Sequence, residues 1–443
     1  MNFQGLSRQQ MIVLGIAGAL VLILVLGIMG ILPLFKSTTT DPNFPSGPVI
    51  LTMWGVDNQA DFADVFTAYQ ALPQAKNVKI LYTQFNSVSQ YEQALVNALA
   101  EGKGPDIFMV KNTWAYKDAA KGAPAPTTLV TPLMVQQNFP AVVGQDFLLQ
   151  ASNGQQYAFA LPLYMDALGL IYNKDIFNTR GIVYPPQTWD QVLADVQQTR
   201  VQDASKNITQ AGIALGSAVN ITNVSDILSA LILQQGSSIY TAAQGGVSLQ
   251  TAAQQAVSFF LQFANPTNPY YTWNDGMPDA RTAFANGTVA MILDTHDALA
   301  TMAEKNPFMH AAIAPLPQLA SANAATTKNY ASYWGLAVSR QSQNQYVAWH
   351  FIRFATMTPS VDTLYLQKAN RFPALLSLIQ AQESGPDEAF IKSFLTATSW
   401  KQADDEKISA IFNQMIEDVT SGKAVLGKAL QAAEADINAL YTH

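Results

Sequence analysis

The sequence has no cysteine, only four histidines and few charged residues, which make up 12% of the chain. Without cysteine there can be no disulfide, thiolate nucleophile, thiolate metal ligand or lipid-attachment cysteine near the N-terminus. The histidines lack the spacing of metal ligands, so we expect neither a structural metal site nor a cofactor. They are His296, His310, His350 and His443.

Basic residues are scarce as well. The chain has 24 Lys and Arg against 31 Asp and Glu, a net charge of −7, and therefore no basic face that could neutralise a phosphate backbone. A nucleic-acid partner is not expected. Hydrophobic residues form 49% of the 443 residues, which is enough for sizeable cores in about two to three domain equivalents. The remaining surface is rich in uncharged polar side chains, which suit neutral polar ligands.

One long apolar run stands near the N-terminus. Residues 11–32 include no charged or hydrogen-bonding side chain, and a helix of this length crosses the hydrocarbon core of roughly 30 Å. We predict an uncleaved membrane anchor over residues 1–36, followed by a short proline-containing linker over 37–48. The alternative is a cleavable signal peptide, whose apolar stretch is usually about 7–15 residues long. The expected location is the cell membrane, with a single span and the bulk of the chain on the extracytoplasmic side.

Strand and helix patterns alternate after the linker. Apolar segments at 49–54, 78–82 and 106–110 predict strands, and helical spacing fills the segments between them. Ser89 with Glu92 predicts a capping box at the start of the second helix. This β-α-β-α-β order predicts a parallel sheet.

Ligands of open parallel sheets bind beyond the carboxyl ends of the strands. Two polar loops fall at such positions in this sequence. The first, at 55–58, follows the first strand, and the second, at 111–114, follows the third. We therefore expect both loops to face a binding site.

The segment from Leu161 to Phe177 is the most informative part of the chain. Residues 168–172 predict a strand buried on both faces, and Asn173 supplies turn chemistry at its end. The Pro-Pro pair at 185–186 prevents a helix from running through, and Thr188 with Gln191 three residues later predicts a new capped helix.

Further elements follow down the chain. Helices are predicted at 226–234, 251–264, 280–286, 342–355, 407–420 and 425–441, and strands at 287–294, 310–316 and 333–339. The acidic run 404–406 opens one of these helices, where negative charge is favoured by the helix dipole. We interpret it as a helix start and not as a catalytic cluster.

The segment 161–190 resembles the signature of the extracellular solute-binding proteins of ABC importers, the family of maltose-binding protein. Short motifs in the same order as in that family extend the resemblance over nearly all of residues 49–443. They are Gly104-Pro-Asp-Ile107, Ala283 to Met291, Ala314-Pro-Leu-Pro317, Trp334 to Ser339 and Ala348 to Phe354.

The resemblance implies an α/β, two-lobed periplasmic-binding-protein-like fold with a hinge, here preceded by one N-terminal transmembrane helix. The hinge crossing is expected at 162–166. The expected lobes are built from separate parts of the chain, with 49–162 plus 311–368 in lobe 1 and 163–310 plus 369–443 in lobe 2.

The family places its ligand contacts in the cleft between the lobes, on the loops after the first and third strands, at the first crossing, on loops of the second lobe and on elements near the hinge. Carried over to this sequence, the candidate ligand-binding residues are Trp54, Asp57, Asn58, Asn112, Trp114, Asp166, Asn220, Thr222, Asp294, His296, Trp334 and Arg371.

One departure from the family concerns the loop after the strand at 287–294. Sugar-binding members commonly have a glycine and a tryptophan there, and the tryptophan stacks on a pyranose ring. This chain has Asp294-Thr-His-Asp297 instead. The expected stacking platform is therefore missing, and Trp54, Trp114 or Trp334 would have to replace it.

The sequence thus predicts a membrane-anchored substrate-binding protein of an ABC importer that is not an enzyme. It would capture a small polar solute, a carbohydrate or related polyol, by hinge closure, and its partners would be the solute, ABC permease subunits and the membrane. The alternative is an extracytoplasmic glycan-processing enzyme or ligand sensor on the same scaffold. An enzyme of that kind needs two carboxylates in a cleft, and Asp166 with Asp294 is the candidate pair.

Overall fold

The computed structural model describes residues 43–249, 251–382 and 385–441. Among these residues, no helix combines the length and the apolar character that a membrane span requires. The predicted anchor at 11–32 lies outside the described residues, so membrane anchoring stays a prediction.

The strands, in chain order, are β1 (Val49–Gly55), β2 (Val78–Gln84), β3 (Ile107–Lys111), β4 (Leu148–Gln150), β5 (Gln156–Ala158), β6 (Ala160–Pro162), β7 (Ala167–Asn173), β8 (Val201–Gln202), β9 (Ile208–Ile213), β10 (Tyr240–Thr241), β11 (Gly246–Val247), β12 (Val289–Asp294), β13 (Ala311–Pro315), β14 (Asn329–Ala331), β15 (Trp334–Val338) and β16 (Ala397–Thr398).

The α-helices are α1 (Ala63–Gln70), α2 (Val88–Ala100), α3 (Ala115–Asp118), α4 (Pro132–Asn138), α5 (Ala141–Phe147), α6 (Lys174–Thr179), α7 (Trp189–Thr199), α8 (Val224–Gln234), α9 (Thr251–Leu261), α10 (Ala280–Ala285), α11 (His296–Lys305), α12 (Gln345–Met357), α13 (Pro359–Ala369), α14 (Leu376–Gln380), α15 (Glu388–Ser393), α16 (Asp405–Thr420) and α17 (Leu426–Ala439). Short 3-10 helices in the described residues cover Gln59–Phe62, Asn112–Trp114 and Phe394–Thr396.

The first sheet has the strand order β2-β1-β3-β15-β6. Strand β1 is parallel to both β2 and β3, as the sequence predicted, whereas β15 runs antiparallel to β3 and β6. Strand β1 buries Val49, Leu51 and Met53, while Ile50 between them is 56% exposed. This alternation is the period of a strand with one face on a core. We call this sheet and the helices packed on it lobe 1.

The second sheet has the order β16-β14-β7-β12-β9-β8, and β13 also pairs with β7. Strand β7 lies at its centre and is almost wholly buried, which explains its continuous apolar run. Gly169 in β7 leaves space for its neighbours, because a Cβ there would lie 2.7 Å from Phe390 and 2.8 Å from the carbonyl oxygen of Ala314. We call this sheet and its helices lobe 2.

The chain crosses between the two sheets at three places. It leaves lobe 1 after Pro162 and enters lobe 2 at Ala167, as the hinge prediction requires. It returns between Ala331 and Trp334, and it crosses again after α13, where Phe372 forms a backbone bridge with Met165.

One part of the predicted division differs from the observed strand pairing. Residues 311–368 were assigned to lobe 1, but β13 and β14 pair with β7 in the second sheet, and the chain rejoins the first sheet only at Trp334. An apolar segment is equally suited to either sheet, so its pairing partner is not visible in its own residues. The remaining lobe boundaries stay predictions.

Of the two capping boxes that the sequence predicts, the structure has one. The capping box of α7 is present: the Thr188 hydroxyl accepts from the Gln191 amide, and the Gln191 side chain accepts from the Thr188 amide. The capping box proposed for α2 is wrong. Ser87, not Ser89, is the N-cap, and it accepts from the amide of Gln90 at 3.2 Å. Ser89 lies inside the helix, two residues too far along the chain to cap it.

We predict that Thr188→Ala lowers the free energy of unfolding by about 1 kcal/mol, because the first-turn amide of α7 loses its acceptor. The measurement is urea denaturation of the full chain. The control is Thr301→Ala at an exposed position inside α11, which should change stability by less than about 0.5 kcal/mol. Equal effects at the two sites would contradict the capping role.

Candidate functional site

The two predicted loops of lobe 1 lie side by side. Strands β1 and β3 are adjacent and parallel, so the residues that follow them meet at the same edge of the sheet. Trp54 is half-buried against Phe85, with ring centroids 5.3 Å apart. Asn58 is exposed and caps the short helix that follows, accepting from the amide of Ala60 at 3.0 Å.

Asp57 and Arg371 form the centre of a charged cluster at the hinge. The buried Asp57 carboxylate accepts from Tyr365 Oη at 2.6 Å and from Arg371 Nη2 at 3.2 Å. The same guanidinium pairs through Nη1 with Asp297 of α11 and lies 4.6 Å from the Tyr164 ring centroid. Burial raises the pKa of Asp57, and the positive charge of Arg371 opposes that rise. Arg371 therefore links a loop of lobe 1 to a helix of lobe 2.

Asp166, at the first crossing, caps α11. Its carboxylate accepts from the backbone amides of Ala167, His296 and Asp297 at 2.8, 3.2 and 3.1 Å. Burial raises the pKa of Asp166 to about 7, although these three hydrogen bonds favour its charged form. The His296 ring lies 4.2 Å from that of Phe372, and burial lowers the His296 pKa.

Asp294 is paired inside lobe 2. It accepts from Arg281 Nε and Nη2 at 2.6 and 2.9 Å, and from Asn223 Nδ2 at 2.5 Å. Both oxygens of this buried carboxylate are engaged. The candidate enzymatic pair, Asp166 with Asp294, thus consists of two carboxylates that already serve as a helix cap and an ion-pair partner.

The two candidate residues in the loop of lobe 2 differ in burial. Asn220 is buried; its amide group donates to the carbonyl oxygens of Asn274 and Met277, and its carbonyl oxygen accepts from Trp273 Nε1 at 2.8 Å. These bonds use its polar groups to hold the loop together. Thr222 is exposed.

A second cross-lobe cluster centres on Asp405, in the first turn of α16. Its carboxylate accepts from Trp114 Nε1 at 2.9 Å, from Thr113 Oγ1 at 3.0 Å and from the ammonium groups of Lys111 and Lys117, each at 3.3 Å. Burial by itself would raise the pKa of Asp405, but the two lysines lower it below its usual value. Because the donors lie at the end of β3 and directly after it, and α16 packs in lobe 2, this network ties the lobes together.

The sequence pointed to the Asp404–Glu406 run only as a helix start. That part is confirmed, since Asp404 is the N-cap of α16. The bonding of Asp405 to lobe 1 was missed, because its partners lie almost 300 residues away in sequence. Trp334 completes the cluster through its ring, 5.1 Å from that of Trp114.

Asp146 forms a third link between the lobes. It accepts from Asn112 Nδ2 at 3.1 Å and Tyr333 Oη at 2.9 Å in lobe 1, and from the Ser399 hydroxyl in lobe 2. Gln145 beside it donates to the Ser399 carbonyl oxygen at 2.7 Å. Burial raises the pKa of Asp146 to about 6. The sequence gave no signal for Asp146, an isolated acidic residue in a short helix.

An open cavity of about 750 Å³ lies between the lobes next to these links. Such a volume is within the range of roughly 300–1,000 Å³ usual for small-molecule sites. The wall combines aromatic rings with uncharged polar groups and two lysines. Lobe 1 contributes Asn112, Tyr116, Gln145, Asp146 and Tyr157, among others, and lobe 2 contributes Ser237, Tyr240, Lys328, Ser399, Trp400, Lys401 and Gln402.

Among the predicted site residues, only Asn112 lines this cavity. Asp57, Asp166 and Arg371 are brought together at the hinge, where they bond to protein groups. The cavity residues of lobe 2 were missed, because serine, tyrosine and lysine in loops have no spacing that distinguishes a binding wall from ordinary surface.

The sequence matches one family model, described as bacterial extracellular solute-binding protein, over residues 57–359, more than half of the chain. A curated relative from Deinococcus radiodurans, a probable ABC transporter-binding protein, is 22% identical over 364 residues, which cover 76% of this chain and 80% of the relative.

Solved structures of similar fold cover almost all of the described chain. A cyclic alpha-maltosyl-1,6-maltose binding protein from Arthrobacter globiformis has a TM-score of 0.71 at 19% identity, covering 89% of this chain and 99% of its own. An ABC substrate-binding protein from Listeria monocytogenes, in complex with cycloalternan, has a TM-score of 0.70 at 18% identity, covering 88% and 98%. The sugar-binding protein MalE from Xanthomonas citri has a TM-score of 0.70 at 16% identity, covering 89% and 97%. At these identities, the likeness shows the two-lobed α/β fold.

We predict that Arg371→Met lowers the free energy of unfolding by about 3 kcal/mol, because it leaves the buried Asp57 carboxylate without its cation. Chemical denaturation measures the change. Adding Asp57→Asn to this variant should recover part of the loss, since the uncompensated charge is then removed.

Lys368→Met is the matched control, three residues earlier in the chain. Lys368 pairs with Asp64 at 2.9 Å, and both side chains are about half exposed, so the loss should be under about 1 kcal/mol. If Arg371→Met costs no more than Lys368→Met, the hinge cluster does not stabilise the fold as described.

We predict a pH-dependent difference between the wild type and Asp166→Asn. The pKa of Asp166 is about 7 in the folded protein, against an ordinary value of 3.8. As the pH is lowered, Asp166 therefore binds a proton in the folded state before it does so in the unfolded state. Its contribution to the free energy of unfolding increases as the pH falls from about 7 towards 4. The melting temperature of the wild type should therefore increase relative to that of Asp166→Asn as the pH falls over this range. A difference that stays constant with pH would refute the assignment.

Proposed function

The chain belongs to the family of bacterial extracellular solute-binding proteins, and from this premise we propose that it captures a carbohydrate or related polyol between its lobes and delivers it to an ABC permease. Members of such a family bind and release their solute without transforming it, so the protein is a solute-binding protein and not an enzyme.

The observation that carries the proposal is the interlobe cavity, which is lined by residues of both lobes. The lining includes the aromatic residues Tyr116, Tyr157, Tyr240 and Trp400 together with amide and hydroxyl side chains. Sugars present the same combination of apolar ring faces and hydroxyl groups. A site of this composition suits a polyhydroxylated ring better than a purely apolar molecule. The solved relatives whose names mention sugars add support to this choice of ligand class.

Binding is coupled to hinge closure in this proposal. The lobes are joined by three chain crossings and by the polar links at Arg371, Asp405 and Asp146. Opening the lobes breaks these links, and a ligand that contacts both walls favours the closed state by its differential affinity. The solute therefore shifts a closing equilibrium.

Anchoring and location remain part of the proposal. The apolar run at 11–32 and the absence of cysteine favour an uncleaved helix that holds the binding unit at the outer face of the cell membrane. A ligand sensor on the same scaffold is the second candidate, and a permease encoded beside this protein would favour transport.

We predict that a saccharide, and not an amino acid or peptide, stabilises the full-length protein. A thermal-shift screen in a detergent without a sugar head group compares oligosaccharides, polyols, amino acids and peptides. A ligand at 100 times its dissociation constant adds about 2.7 kcal/mol. Small-angle scattering with the same ligand should show a smaller radius of gyration.

Two results would count against the proposal in different ways. Stabilisation by peptides alone would overturn the carbohydrate assignment. Saccharide binding without compaction would overturn the coupling to hinge closure and leave the ligand class intact.

A further inference from the structure

Lys401 lies at the mouth of the interlobe cavity inside a group of tyrosines. Its ammonium nitrogen is 3.9 Å from the ring centroid of Tyr116 in lobe 1 and 5.1 Å from that of Tyr240 in lobe 2. Tyr441 packs against both rings, at 5.8 and 5.1 Å, and its hydroxyl donates to the Lys401 carbonyl oxygen at 2.5 Å. These contacts fix the position of the charge at the boundary of the two lobes.

The charge of Lys401 has no carboxylate partner in the part of the chain that the structure describes. The same holds for Lys328, the other lysine of the cavity wall. By contrast, the nearby Lys111 and Lys117 both pair with Asp405. The cavity wall thus contains two ammonium groups that form no ion pair with a carboxylate of the described residues.

Among the described residues, Asp146 is the one acidic residue of the cavity wall, and it forms no ion pair with either lysine. Asp146 already accepts hydrogen bonds from Asn112, Tyr333 and Ser399. With Asp146 ionised, two ammonium groups against one carboxylate leave the wall with an excess positive charge. A ligand with a matching negative charge would gain from this excess.

We propose that the solute is an acidic saccharide, with one singly charged group, a carboxylate or a sulfate, bound by the Lys401 ammonium. This proposal rests on the proposed function and names the ligand class of the same site. The aromatic ring of Tyr157 would face a sugar ring, and the hydroxyl of Ser237 lies in the same wall for the hydroxyls of the sugar. The tyrosines hold Lys401 in position and leave its N–H donors available to the acid.

The test is isothermal titration calorimetry on the full-length protein in a detergent without a sugar head group. The probes are trigalacturonate, galactose 6-sulfate and maltotriose, which separate a carboxylate, a sulfate and a neutral sugar. We expect an acidic probe to bind more tightly than maltotriose, with an affinity that falls as salt is added, because charge pairs at an open site are screened.

Substitutions of Lys401 then test whether its ammonium group binds the acid. Lys401→Gln should weaken binding of the acidic probe at least about tenfold, the loss of one charge-assisted hydrogen bond, while maltotriose binding changes little. Lys401→Arg should keep most of the affinity, since it retains both the charge and the stacking on tyrosine. Lys79→Gln, at an exposed site on β2 away from the cavity, is the control and should leave binding unchanged.

Three other results of these experiments would overturn the inference. If maltotriose binds and neither acidic probe does, the ligand is a neutral sugar and the proposed function stands without this refinement. If an acidic probe binds equally well to Lys401→Gln and to the Lys79→Gln control, the acid is recognised elsewhere. If neither these probes nor any saccharide of the screen binds, the proposed function fails together with the inference.

Discussion

The arrangement of the two lobes depends on burying charge between them. Asp405 brings one carboxylate from α16 into contact with an indole, a hydroxyl and two ammonium groups of lobe 1. A carboxylate in such surroundings is tolerable only while all its donors are present, since removing it from water costs several kcal/mol unless charge and hydrogen bonds compensate. An arrangement of the lobes in which the donors reach this carboxylate is therefore favoured over one in which they do not.

At the hinge, the group between the lobes is a cation and its partners are carboxylates. Arg371 brings a cation between Asp57 and Asp297, and Tyr164 covers its face. Asp166 at the same crossing satisfies three backbone amides at the start of α11. These groups are polar, and although the buried Nε of Arg371 has no partner among the described residues, the charged groups bond to other groups of the protein. Space for a solute is left at the side of the cleft, where Tyr240 and Lys401 lie opposite Tyr116.

Some of the geometry around the candidate site residues follows from the sequence, and some of it does not. Residues after β1 and β3 do meet at one sheet edge, because parallel neighbours end together, and that geometry follows from strand order alone. Asn220 is a candidate because the resemblance places ligand contacts on its loop, and its polar side chain holds that loop together. Polarity in a loop shows that a side chain can form hydrogen bonds, but it does not show whether the partner is the protein or a ligand.

The sequence by itself determined the alternation of helices and strands, the first crossing at 162–166, the capped start of α7 at Thr188 and the resemblance to a solute-binding family. These features depend on neighbours in the chain, on local periodicity and on the order of short motifs. Only the tertiary structure decided that β13 and β14 join the second sheet, that Asp405 bonds to Trp114, and that Lys401 lies between two tyrosines of different lobes. Those contacts join residues more than a hundred positions apart, and their energies depend on burial, which exists only once the chain is packed.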